Sequence, residues 1–320
     1  MCCRKTPTRN FRPRGCRNST TPGGVRSSRA GDAVVSSSAP LSPRRPLPPA
    51  LVVAPAVLTA SFVVLGGLLT AAAQSLGLLP LAGSPSLTLG AYTAVAPDLP
   101  AAIGLSLAIA LASTIAASVV GFTAALVIVQ GRWCGRVVAA VSTLTIPFPH
   151  IVGAASVGLL LSDSGLLSRL TGAGEAWPRL VGGPWWIAVI ADYSWKESAF
   201  VALVVTGALI TRSTGYDETA ALLGAGRIRR IRHVLVPLSL PALTVSATIV
   251  FVYTFGSYEV AWLLGRPYPE PLPVMALRVF GSASLTSRPE AAALAMVTTI
   301  VSFGAATAAF ALLRRIPLWR

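Results

Sequence analysis

The sequence predicts an all-α membrane protein of six transmembrane helices. Three observations lead there. Charged residues make up only 12% of the chain while 53% are hydrophobic, and the mean hydropathy is +0.69. A soluble domain carries about a quarter charged residues, so the shortage of charge points to lipid as the main solvent. Six windows are apolar over the roughly 20 residues that a spanning helix needs, near 51–73, 103–129, 137–161, 184–210, 239–264 and 291–313. Finally, Lys and Arg alternate in abundance between successive links, as the positive-inside rule requires of an even number of spans.

Before the first window, residues 1–47 are rich in Arg, Pro, Ser, Thr and Gly, with Asp32 the single acid. Such a segment buries too little apolar surface to offset its ordering entropy and is expected to be a disordered basic tail. The apolar run after it is too long for a cleaved signal peptide. Residues 48–316 form the expected membrane domain. Leu51–Ala73 and Ala291–Leu313 carry no charge, and Pro55 falls in the first turns of its span, where it does little harm. Pro147 and Pro149 are expected to kink the third span. Gly66-Gly67 lets a neighbouring helix approach the first.

If six spans alternate, the tail, Arg132 and Arg136, Arg212 with Arg227, Arg229, Arg230 and Arg232, and Arg314, Arg315 and Arg320 share one side. The opposite links hold Arg169, Arg179, Arg266, Arg278 and Arg288, and the first of them has no basic residue. Both termini are therefore expected in the cytoplasm of a multi-pass cell-membrane protein. The net charge of +15 follows from these anchors. Nucleic acid is not an expected partner, because the basic residues lie between apolar runs and form no aromatic-interleaved face.

The polar stretch "ETAALLGAGRIRRIRHVLVPLSLPAL", residues 218–243, stands out in so apolar a chain. Asp217 and Glu218 suit a helix start, where acids complement the dipole. Glu218–Leu223 is expected as a short helix with Ala220 on a small face. Gly224-Ala225-Gly226 reverses the chain, since glycine accepts the left-handed conformation. Arg227 to about Val234 forms a second short helix, and Pro237 and Pro241 lead into the next span. An ordinary loop whose arginines set topology would explain the charge, but not the acid, the paired glycines and the proline exit together.

This stretch resembles the "EAA" loop of the permease subunits of binding-protein-dependent ABC importers, type I. Glu218, Ala220, Leu223, Gly224, Ala225, Val234, Pro237, Leu238 and Pro241 fall in its register. Thr219, Gly226, Ile231 and Val236 depart from it, at positions where the pattern has alanine, serine, an aromatic and leucine. The resemblance covers roughly residues 50–313. It implies the type I permease fold, with Glu218, Ala220, Gly224, Ala225, Ile231 and Pro237 in a coupling loop seated in a groove of a cytoplasmic ATPase. It further implies a second permease, identical or a sister, and an extracytoplasmic solute-binding protein. ATP and magnesium would sit on the ATPase, with no cofactor on this chain.

Three further stretches resemble the polyamine, ferric-iron and thiamine branch: residues 147–170, "DYSWKESAFVALV" at 192–204, and "FGSYEVAWLLGRPYPEPLPVMALRVF" at 255–280, where Ala261-Trp262 interrupts the motif. A polyamine such as putrescine or spermidine is the first expected solute, with ferric iron and thiamine as alternatives. Independently of any family, Asp192, Lys196, Glu197 and Glu259 fall inside predicted spans. An ionisable group there is costly and faces a water-filled path or a partner. Asp192 and Lys196, four apart, can pair on one helix face. These charges form either a structural cluster or, through Glu197 and Glu259 with Tyr258 beside it, a negative lining for a cation. His150 beside Pro149 either lines the path or bonds a carbonyl freed by the kink.

The chain has no His-Glu-x-x-His, no Gly-x-Ser-x-Gly and no Gly-Lys phosphate loop, so neither hydrolysis nor ATP binding by this chain is expected. Its cysteines have no metal-ligand spacing with His150 or His233. A secondary transporter or channel, and an intramembrane scaffold, remain as rivals; neither has a use for the coupling loop, and internal inverted repeats are not evident.

Overall fold

The computed structural model describes residues 49–81, 83–172 and 174–315; the predicted tail, 1–47, lies outside them. The chain divides at residue 52, and the second unit, Val53–Arg320, carries the architecture. Its described residues form helices joined by turns and loops, with no strand among them. In order they form α1 (Pro49–Ser75), α2 (Gly90–Val95), α3 (Leu99–Val129), α4 (Trp133–Thr145), α5 (His150–Leu161), α6 (Leu166–Thr171), α7 (Ile187–Leu222), α8 (Arg227–Arg230), α9 (Val236–Gly256), α10 (Glu259–Leu264), α11 (Leu272–Phe280) and α12 (Arg288–Arg315).

Five stretches are long and apolar enough to cross a membrane: Val53–Ser75, Leu99–Val129, His150–Thr171, Arg227–Gly256 and Leu285–Ala311. The sixth expected span is α7, whose length of 36 residues corresponds to about 54 Å; Asp192, Lys196 and Glu197 dilute its apolar character. The first, second and sixth windows of the sequence coincide with α1, α3 and α12.

The third and fifth windows were read across breaks. Pro147 and Pro149 divide 137–161 into α4 and α5, because proline offers no N–H to continue the ladder. α4, with 13 residues, and α5, with 12, about 20 and 18 Å long, are each too short to span alone; the membrane-length stretch is His150–Thr171, which joins α5 to α6. The fifth long apolar helical stretch runs from 227 to 256, not 239 to 264. It stops where Gly256 is followed by Ser257 in extended geometry (φ −83°, ψ 138°), and Glu259 opens the separate helix α10.

The centre of the fold is the pair α3 and α7, with α9 packed against both. Small residues on α3 let the helices touch: Ala110, Ser113, Ala117, Gly121 and Ala125 are all buried. At Gly121 a Cβ would lie 2.6 Å from Val201 Cβ and 2.7 Å from the Ser198 carbonyl. Small interfacial residues let membrane helices gain van der Waals contact where no hydrophobic drive exists. Val201, Val205, Leu209 and Val250 fill the space below.

The predicted outer link 265–289 folds back as α11, which buries Leu272, Val274, Met275 and Val279. The Leu272 N–H donates to Ser106 Oγ on α3 at 2.7 Å. Arg278 donates through Nε and Nη2 to Glu270 Oε1, at 2.7 and 2.6 Å. That hydrogen bond holds the guanidinium above its ordinary pKa. By contrast, most of α1 stands exposed, including Leu58, Phe62, Val63 and Leu69. Among the described residues nothing lies within 4 Å of a Cβ placed at Gly66 or Gly67, so none of them makes the close approach expected there.

Candidate functional site

Two groups of residues are the candidates, one inside the bundle and one at the turn between α7 and α8. The inner group gathers at the break between α4 and α5. In an unbroken helix the Val152 N–H would bond the Phe148 carbonyl; here it bonds Pro149 O at 3.1 Å, as does the Gly153 N–H. The freed Phe148 carbonyl accepts a hydrogen bond from Lys196 Nζ on α7. His150 therefore does not take a freed carbonyl. Its Nε2 lies 3.8 Å from Glu197 Oε1, too long for a hydrogen bond. Its ring leans on Tyr253 of α9 with centroids 4.8 Å apart.

Tyr253 is the residue that sequence reasoning missed. A lone polar aromatic in the apolar run "IVFVYTF" was its only signal. It is exposed and shares Ser257 as a side-chain neighbour with Tyr193. Glu259 opens α10, which packs against α5 and α7. The structure thus brings His150, Glu197 and Glu259 into one region. It sends Tyr258 elsewhere: this side chain lines a cavity of about 480 Å³ with Gln74, Ala276, Phe280 and Arg288, and the Arg288 guanidinium sits 4.0 Å over the Phe280 ring. Asp192 and Lys196 are both buried, and neither Asp192 oxygen has a hydrogen-bond partner among the described residues.

The second group corrects the expected pair of short helices. Glu218 does not begin a helix, because α7 runs unbroken from Ile187 to Leu222, passing through Asp217. Nor does a second helix end near 234. α8 continues through a π turn, Ile231–Leu235, directly into α9. The block is the joined tips of two long helices. From Ile210 to its end at Leu222, α7 runs about 18 Å.

The turn itself forms as its glycine predicts. The Leu223 N–H donates to Thr219 O at 3.1 Å and the Ala225 N–H to Ala220 O at 3.0 Å. Gly224 has φ +80°, the left-handed conformation of a helix C-terminus. Gly226 has φ −63° and precedes α8 in extended geometry, so only the first of the paired glycines uses its freedom. Arg227 Nη2 donates to Gln130 Oε1 at 2.6 Å, tethering the turn to the end of α3. Ala220, Ala225, Ile231 and Pro237 are half-buried, and Ile231 sits in the π turn. The tip is apolar: Leu222 is 89%, Leu223 83% and Ile228 82% exposed.

A family model described as the binding-protein-dependent transport system inner membrane component matches residues 117–316. That is more than half the sequence, and it takes in both groups. The chain belongs to this family.

The permease is accordingly a multi-pass membrane protein and a subunit of the ABC importer type. It is 35% identical over 100 residues to a putative ABC transporter permease protein, ORF1, of Streptomyces antibioticus, covering 31% of this chain and 42% of that one. It is 28% identical over 197 residues to the putrescine transport system permease protein PotI of Escherichia coli K12, covering 61% and 65%. The permease thus matches less than two thirds of either relative. Among solved structures, a bacterial ABC transporter involved in the import of the acidic polysaccharide alginate superposes with TM-score 0.67 at 18% identity, over 83% of this chain and 95% of that one. The inward-facing MetNI methionine ABC transporter gives TM-score 0.54 at 18% identity, over 69% and 97%. At such identities the likeness is one of fold.

One expected outcome isolates the turn. Gly224→Val has space for its side chain, since none of the described residues lies within 4 Å of a Cβ there, but must hold φ near +80°. The left-handed conformation costs an L-residue about 1–2 kcal/mol, so the intact turn falls in population about tenfold. Gly226→Val, at φ −63°, is expected to leave it unchanged. Protection of the Ala225 amide in hydrogen exchange distinguishes the two.

Proposed function

We propose that this permease forms half of the solute path of an ATP-driven importer and couples, through the tip at residues 222–228, to a separate cytoplasmic ATPase. The observation that carries the reading is that tip. Leu222, Leu223 and Ile228, three bulky apolar side chains, stand almost fully exposed at the turn that joins α7 to α8. An exposed apolar patch on a firm support is the mark of a docking anchor. The half-buried alanines behind it allow a partner surface to approach closely.

In this reading residues 48–316 are the permease domain, with the basic tail and both termini on the cytoplasmic side of the inner membrane. A second permease, identical or a sister, completes the path, and an extracytoplasmic binding protein delivers the solute. ATP and magnesium reside on the ATPase, and this chain performs no covalent chemistry. The solute is a small cation of the polyamine class. Glu197 and Glu259 supply negative charge, Tyr253 an exposed aromatic face for an alkylammonium, and the distant likeness to a putrescine permease agrees.

The test is purification of the full chain from its own cells in mild detergent. An ATPase is expected to copurify and hydrolyse ATP; its absence argues for a self-sufficient transporter. Uptake of labelled putrescine into those cells, with ferric iron and thiamine as competitors, examines the solute. Glu259→Gln is expected to slow putrescine uptake several-fold with unchanged ATPase copurification. An unchanged rate removes Glu259 from the path.

A further inference from the structure

Lys196 has two acceptors within reach and uses one of them. It is 5% exposed and donates to the Phe148 carbonyl in the α4–α5 break. One helical turn away on the same face, Asp192 is 0% exposed and both its oxygens lack a hydrogen-bond partner among the described residues. A buried carboxyl left unpaired is costly in a medium of low dielectric, and residues four apart on a helix can pair. α5 rests on this pair. A Cβ at Gly153 would lie 3.1 Å from Asp192 Oδ1 and 3.2 Å from Lys196 Cδ.

We propose that Lys196 is a positioning residue that exchanges its ammonium between the Phe148 carbonyl and the Asp192 carboxylate, loosening and tightening the first turn of α5 at the α4–α5 break during transport. The exchange conserves partners. When Lys196 turns to Asp192, the Phe148 carbonyl loses its donor, and the Val152 N–H, now on Pro149 O, is the one that a helix would return to it. Pro149 O currently accepts from two amides, so it keeps the Gly153 N–H after the transfer. Each arrangement therefore satisfies what the other releases, except that the present one leaves Asp192 unpaired. His150 lies within the turn that moves, so its approach to Glu197 and Tyr253 changes with the latch. Two discrete arrangements of one hydrogen-bonded element provide the bistability that alternating access needs. The role in transport rests on the proposed function; the exchange itself does not.

Spin labels at Leu144→Cys and Ile151→Cys, both exposed positions flanking the break, report the exchange in the full chain. The native cysteines are replaced and the protein is held in lipid nanodiscs. Dipolar broadening in continuous-wave EPR is expected to show two components in the otherwise unaltered chain. Asp192→Asn leaves Lys196 on Phe148 and retains the component of the loosened turn. Lys196→Met removes the donor and shifts the spectrum toward the other component. One distance common to all three overturns the proposal, as does a shift in the same direction for both variants. Should Lys196→Met fail to fold, Asp192→Asn against the unaltered chain still decides it, an unchanged ratio of components being the refuting result. In cells, Asp192→Asn is expected to slow solute uptake about tenfold, and the double variant is expected to remain slow. Recovery by the double variant would mean the two residues merely balance charge and would overturn the exchange; an EPR result in favour stands whatever the solute proves to be.

Discussion

Leu222→Asp with Leu223→Asp is expected to abolish ATPase copurification while leaving the membrane domain intact. The side chains are 89% and 83% exposed, so the isolated chain loses no packing when they become charged. In a complex they would occupy a partner's groove. Buried apolar anchors at an interface contribute about 2–4 kcal/mol each, and a desolvated, unpaired carboxylate adds to the loss. A combined deficit of about 4 kcal/mol weakens binding roughly a thousandfold. The measurement is ATPase recovered per permease on affinity purification, with thermal unfolding of the permease as control. Full recovery from the double variant would remove the tip from the coupling interface. Because Arg227 is tethered to Gln130 on α3, and the tip joins α7 to α9, force applied there reaches three central helices together. Gln130→Ala is then expected to preserve ATPase binding more than it preserves coupled uptake.

Gly121→Leu is expected to have the largest effect on stability. Even a single added carbon would fall 2.6 Å from Val201 Cβ and 2.8 Å from Val201 Cγ1, with the Ser198 carbonyl at 2.7 Å. Two of these neighbours are close to or part of the α7 backbone, so a rotamer change does not relieve the overlap; α3 and α7 must separate. Overpacking costs about 1–3 kcal/mol, and the upper end applies where helix axes have to move. That corresponds to a fall of about 10 °C in the unfolding midpoint. Gly66→Leu is the matched control in the isolated chain, since none of the described residues stands within 4 Å of a Cβ at that position. Intrinsic fluorescence melts in detergent compare them, and equal midpoints would contradict the close-contact account.

Hydropathy located α1, α3 and α12 because each is a continuous apolar run, and lipid solvation depends on little else. It failed where apolar composition continued across a backbone break. Residues 137–161 and 239–264 are greasy throughout, yet Pro147, Pro149 and the Gly256-Ser257 pair interrupt their hydrogen-bond ladders. Composition reports the solvent; it does not report whether successive amides find partners. The glycine turn was legible at Gly224, whose φ is positive, and misread at Gly226, whose φ is not.

The membrane class of the chain and the loop pattern at residues 218–241 were settled by the sequence itself, because both depend on the identity and spacing of neighbours along the chain. Only the tertiary structure decided that the loop is the tip of two long helices, that Lys196 serves the Phe148 carbonyl, and that Tyr258 and Glu259 face different surroundings. Those outcomes depend on which helix stands opposite each residue. Contacts such as those between α7 and the α4–α5 break join residues 48 positions apart, and no local propensity encodes them.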